Sequence, residues 1–215
     1  MLIRPFSYSG WRCLTLALFS LAVIAGCQNE APDVENTEAG DAVADSDSVE
    51  ASGEDTRVMY SPEAFRKAAF DGKLRVVEVC LDEGLDVNEP DENGFTALAM
   101  ASYNGHTQIA KLLLENGADV DSRDVEGKTP LIHASSGPFP ETVKVLLDAD
   151  AKIDAVDSGE HFTPLMTAAA LGNVEVVKVL LDAGADKTLV DADGESAADF
   201  ARSGGHETIV QLLEK

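Results

Sequence analysis

The chain has 215 residues, 45% of them hydrophobic, and 39 acidic residues against 16 basic ones give a formal charge of −23. This length allows one domain with tails or two small domains, and the charge excludes a nucleic-acid binder, which needs Lys and Arg to neutralise phosphates. It also excludes attraction to anionic lipid, so any membrane attachment must come from something other than charge.

Residues 1–12 carry Arg4 and Arg12 and no acid, and an apolar run from Cys13 to Ala25 follows them. The run is about half of the roughly 20 residues that a spanning helix needs. A positive start, a short apolar middle and small residues at its end are the layout of a secretory signal peptide. Ile24-Ala25-Gly26-Cys27 then resembles the lipobox of bacterial lipoproteins, an aliphatic residue and two small ones before an obligatory cysteine. The resemblance implies cleavage after Gly26, a diacylglyceryl group on Cys27, and attachment to a lipid bilayer through that acylated cysteine. Each buried CH₂ contributes about 0.8 kcal/mol, so two or more acyl chains hold stably. A plain signal peptide with an incidental cysteine, or an uncleaved anchor, remain open as readings of the same residues. Under the lipobox reading the mature chain keeps 14 basic and 39 acidic residues, a charge of −25. Its expected location is then the bacterial cell envelope, facing the periplasm, and Gln28 in place of an aspartate favours the outer membrane.

Residues 28–60 contain ten acids, one base (Arg57) and little aliphatic or aromatic bulk. Such a segment cannot bury enough surface to offset chain entropy, so 27–60 is expected to be a disordered acidic tether.

From Ser61 the sequence repeats itself with a period of 33. The copies run 61–93, 94–126, 127–160 (one residue longer), 161–193 and a truncated 194–215. Thr129-Pro130 and Thr163-Pro164 are helix-start signals. Leu98, Leu131 and Leu165 head short inner helices, and Ala101, Ala134 and Ala168 let neighbours approach. Gly72, Gly105 and Gly172 break the chain before outer helices carrying VVEVCL, IAKLLL, VKVLL, VVKVLL and IVQLL, and Gly84, Gly117 and Gly184 close those helices. Asp91–Gly94, Asp124–Gly127 and Asp191–Gly194 supply turns. On these residues 61–215 resembles an ankyrin-repeat domain of five repeats. The implied fold is an all-α repeat solenoid of paired antiparallel helices with short β-hairpin-like fingers. No single repeat buries its own apolar face, so stability comes from stacking. Pro62 to Lys67 in the first repeat, and Asp199 and Arg202 in the fifth, read as polar end caps.

Catalytic and metal chemistry find little support. His106 and His206 follow glycine at turns and read as helix caps, His133 reads as a packed side chain, and His161 replaces a turn glycine. None pairs with a cysteine or a nearby serine, so no nucleophilic triad is implied. Asp91, Asp124, Asp157 and Asp191 recur once per repeat, which suits solvated turns better than convergence on an ion. Cys80 takes a leucine-type position and reads as an inert buried thiol. No cofactor, metal or enzyme activity is expected.

The ankyrin resemblance implies protein binding through the fingers and the exposed side of the inner helices. Carried over by position, the candidate partner-binding residues are Phe95, Lys128 and Phe162 after the finger turns, with Tyr103, Asn104 and Leu171 on inner helices. Aromatic residues are enriched at interface hot spots, and Phe95, Tyr103 and Phe162 are taken as not needed for packing. Ser135 to Pro140 replaces the usual turn, either as a rigid bulge presenting Phe139 or as a tolerated variant. The expectation is a monomeric, envelope-anchored interaction module for a protein partner, one with basic character. A periplasmic immunity protein that neutralises a secreted effector is an alternative, and a metal-binding or enzymatic envelope protein is a weaker one.

Overall fold

The structure, a computed structural model, describes residues 60–215; the leader, Gly26, Cys27 and all but the last residue of the acidic tether lie outside the described residues. Inner helices are α1 (Pro62–Phe70), α3 (Ala97–Tyr103), α5 (Pro130–Ser135), α7 (Pro164–Leu171) and α9 (Ala197–Ser203). Outer helices are α2 (Leu74–Asp82), α4 (Thr107–Glu115), α6 (Pro140–Asp148), α8 (Val174–Asp182) and α10 (Glu207–Leu213). Each inner helix turns directly into its outer partner, and a finger leads on to the next pair.

Every inner helix starts on a hydroxyl cap. Ser61, Thr96, Thr129, Thr163 and Ser196 accept the backbone N–H three residues ahead at 3.1 to 3.4 Å. Such a cap contributes about 1 kcal/mol. The outer helices differ: their N-cap residues Lys73, His106, Phe139, Asn173 and His206 make no side-chain cap bond. Four of these side chains are used instead to reach back to the preceding repeat.

His106 Nε2–H donates to the carbonyl of Phe70 at 2.8 Å, and His206 Nε2–H to that of Ala170 at 3.2 Å. A carbonyl only accepts, so the proton sits on Nε2 in both rings. Each histidine thus ties down the C-terminal end of the preceding inner helix and makes no cap bond to the outer helix that follows it. Asn173, at the same place in its repeat, donates to the Ser135 carbonyl at 3.1 Å. The histidine rings lie over Gly72 and Gly172, where an added Cβ would meet them at 2.7 and 2.6 Å.

The core is a set of rows running through the stack. Leu98, Leu131 and Leu165 form one, Ala101, Ala134, Ala168 and Ala201 a second, and Cys80, Leu113, Leu146, Leu180 and Leu213 a third, all buried. Fully burying each leucine contributes about 1.5–3 kcal/mol. Cys80 is a free cysteine in the leucine row, and burial pushes its thiol pKa up, away from the reactive thiolate. In the fifth repeat Ser196 and Asp199 form a capping box, and Arg202 bridges Asp199 at 2.7 Å and Glu214 at 2.6 Å. Arg202 stands where internal repeats bury Ser102, Ser135 and Ala169, so its charge closes the end of the stack.

The fingers are turns, not hairpins of regular strands. Among the described residues the sole bridge is an isolated one, Val190 with Ser196. Each finger is instead closed by its aspartate: Oδ1 of Asp91, Asp124, Asp157 and Asp191 accepts two backbone N–H groups of its own turn. Neighbouring fingers are joined by Val125 N–H to Asn93 O (2.9 Å), Ser158 N–H to Glu126 O (2.8 Å) and Ala192 N–H to Glu160 O (2.9 Å). Asn88, Asp121 and Asp154 add side-chain bonds to the backbone N–H of Asp119, Lys152 and Asp186 in the following repeat.

Two positions that hold glycine in sister repeats hold other residues here. Asp150 has φ +63° and His161 φ +62°, where the equivalent glycines have φ between +76° and +92°. A left-handed backbone costs a side-chain-bearing residue roughly 1–2 kcal/mol, less for Asp. Asp150→Gly and His161→Gly are each expected to raise unfolding stability by about 0.5–1 kcal/mol, measured by urea denaturation.

Candidate functional site

The side of the inner helices turned away from the outer ones is not covered by any other part of the described chain. It carries three rows that recur from repeat to repeat. One holds Phe95, Lys128, Phe162 and Glu195 just after the fingers. A second holds Met100, His133, Thr167 and Phe200, and a third Phe70, Tyr103, Ser136 and Ala170 with Leu171 beyond it. The rows interlock across repeats. Phe95 lies 5.1 Å from His133 of the next repeat, and Phe162 lies 4.8 Å from Phe200 of the next.

His133 anchors the N-terminal half of this face. It is 6% exposed, and its Nε2 lies 2.9 Å from Oδ2 of Asp124, which closes the second finger through Oδ1. Tyr103 meets the ring edge-on at 6.1 Å. Burial alone would push the Asp124 carboxyl up, but the His133 hydrogen bond and charge and the N–H groups of Lys128 and Glu126 outweigh it. The carboxyl is held below the usual carboxylate range. His133 is therefore packed, as its sequence position implies, but the finger-to-helix link to Asp124 was not anticipated. The two residues are nine apart and belong to different repeats, so a within-repeat pattern does not pair them.

Several candidate binding side chains turn out to be engaged inside the domain. Asn104 donates to the Phe70 carbonyl at 2.8 Å, beside His106. Lys128 pairs with Glu126. Phe95, Tyr103 and Phe162 are half-buried against neighbouring rings, which corrects the view that packing does not need them. Phe139 is corrected more strongly. It is no presented bulge, because its ring fills the groove that His106 and His206 fill in their repeats. A Cβ on Gly105 or Gly137 would fall 2.2 Å from it. Leu171, by contrast, is 46% exposed and stands open on the face. On the fingers, Val125 (69% exposed) and Val190 (53%) are open as well.

Stacked helix pairs, Asp-closed fingers and a 33-residue period coincide with a family comparison. The family described as "Ankyrin repeats (3 copies)" matches residues 65–157 and 140–215, most of the chain. The chain belongs to the ankyrin-repeat family. No curated protein matches it. Ankyrin repeats are in general protein-interaction modules without catalytic machinery. The recurring aspartates each have a structural task in their finger, and among the described residues no three metal-ligating side chains converge. Among the same residues no helix is long and apolar enough to cross a membrane.

Near the end of the face, burial pushes the Glu195 carboxyl up, and Asp191, Asp199 and Asp193 add to that shift. Negative charge is therefore concentrated where the last finger meets α9.

Proposed function

We propose that the protein is a bacterial envelope lipoprotein, held to a bilayer through acylated Cys27, whose ankyrin domain binds a protein partner through the finger and inner-helix face. The observation that carries the binding role is the uncovered inner-helix face, and the anchor rests on Ile24-Ala25-Gly26-Cys27. The face offers Leu171 at 46% exposure and half-buried Phe70, Met100 and Tyr103, whereas exposed positions of the outer helices carry Lys111, Glu141, Lys144, Glu175 and Lys178. Apolar surface facing solvent beside an otherwise charged exterior is what a partner covers. The acidic exterior favours a partner of basic character through faster encounter and charge matching.

Two results test the reading. Growth with labelled palmitate is expected to mark the wild-type chain and not Cys27→Ser; label persisting in that variant removes the anchor. Envelope extract passed over the immobilised full chain is expected to leave a defined protein whose retention drops at least ten-fold with Leu171→Ser. If nothing is retained, or retention ignores that substitution, the binding role on this face is wrong.

A further inference from the structure

The charge of the ankyrin domain is unevenly placed. The central inner helices α3 (ALAMASY), α5 (PLIHAS) and α7 (PLMTAAAL) contain no Asp, Glu, Lys or Arg, although the chain as a whole has 39 acids. His133, the one imidazole on them, is buried and bonded to Asp124. The surface they turn outward is made of Met100, Tyr103, Thr167, Ala170 and Leu171. Acids border this neutral strip on one side, because three finger tips carry one at the matching place: Glu126, which Lys128 also meets, Glu160 and Asp193. The tips are joined tip to tip by backbone hydrogen bonds of 2.8 to 2.9 Å, and Glu126, Glu160 and Asp193 hold the same place in successive repeats, where the first finger has Asn93.

We infer that the occupant of this face is an amphipathic helix of the partner, apolar toward α3, α5 and α7 and bearing Lys or Arg every seventh residue along its edge toward the finger tips. This rests on the reading that the face binds a protein. The spacing selects a helix. Packed helices stand about 8–10 Å apart, so acids that recur once per repeat recur at about that distance. In a helix, seven residues advance about 10.5 Å and return to the same side. In a strand, side chains on one side advance about 6.6 Å or 13 Å, which straddles the repeat spacing without matching it. The apolar strip supplies the affinity, since exposed ion pairs contribute about 0–1 kcal/mol each. The row of acids sets the helix's register and raises its encounter rate.

The test uses three fluorescent peptides of about 22 residues, long enough to span four repeats as helices, with the full chain titrated by fluorescence anisotropy. The first has a leucine stripe edged with Lys at every seventh residue; the second is its scramble; the third replaces Lys by Glu. The first is expected to bind at least ten-fold more tightly than either of the others. Leu171→Ser and the pair Glu126→Lys/Glu160→Lys are each expected to weaken it at least five-fold, with unchanged thermal melts showing that both variants fold. Equal binding of the scramble would mean attraction by net charge alone and overturns the inference. Equal binding of the Glu peptide, or indifference to both variants, overturns it too. Envelope capture separates the two levels. A partner lost with Leu171→Ser, alongside peptides that bind alike, removes the helix assignment and leaves the binding face; no captured partner removes the binding face.

Discussion

Gly105→Ala is expected to destabilise the domain by about 2–4 kcal/mol, while Gly117→Ala costs about 1 kcal/mol. Both glycines have positive φ, +70° and +85°, so the backbone penalty is similar. They differ in what a methyl group meets. At Gly117 nothing lies within 4 Å, whereas at Gly105 the methyl would sit 2.2 Å from Cδ1 of Phe139. The other edge of that ring lies over Gly137, where an added Cβ would fall 2.2 Å from Cε2, so the Gly137 backbone limits how far the ring can retreat. The clash is thus a property of the pair, and Phe139→Ala should relieve much of it. Urea denaturation of Gly105→Ala, Phe139→Ala and the double variant gives the coupling. A strictly additive double variant would show that Phe139 does not occupy the groove.

Asp124→Ala is expected to cost about 2–4 kcal/mol at pH 7, against about 1–2 kcal/mol for Asp91→Ala. Each removes an aspartate that closes a finger with two backbone bonds. Only the first also strips the buried His133 of its partner. The pH dependence has a defined sign. The folded carboxyl of Asp124 is held below its ordinary value, so its contribution is full above the unfolded pKa of about 3.9 and is lost as pH falls through the folded value. The stability gap between wild type and Asp124→Ala should therefore narrow as pH drops below about 4. A gap that stays constant down to pH 2.5 would mean that the ionised carboxylate is not what holds the finger.

What could be read in advance divides along the repeat boundary. Thr129-Pro130, Thr163-Pro164, the leucine and alanine rows and the turn aspartates are local signals, each acting within a few residues, and the structure puts them where periodicity implies. Contacts between successive repeats are less legible. Asn104, Phe139, Asn173 and His206 all act on the preceding repeat, and periodicity reports a residue's place in its own copy, not what it touches in the next. This is why Phe139 reads in the sequence as a presented bulge or a tolerated turn variant and is a wedge in the fold. The candidate binding surface was blurred in the same way: Phe95, Phe162 and Tyr103 spend part of their surface on rings across a boundary, and Leu171 emerges as the open position. His161, by contrast, was legible as a substitute for glycine, because a turn demands its backbone angle locally.

The most direct measurement places a photo-crosslinking residue, benzoylphenylalanine, in cells at Leu171 and separately at Lys111 on the outer face of α4. The account predicts that irradiation yields a discrete crosslinked protein from position 171 and none from position 111. A crosslink from position 111 with none from 171 would contradict it.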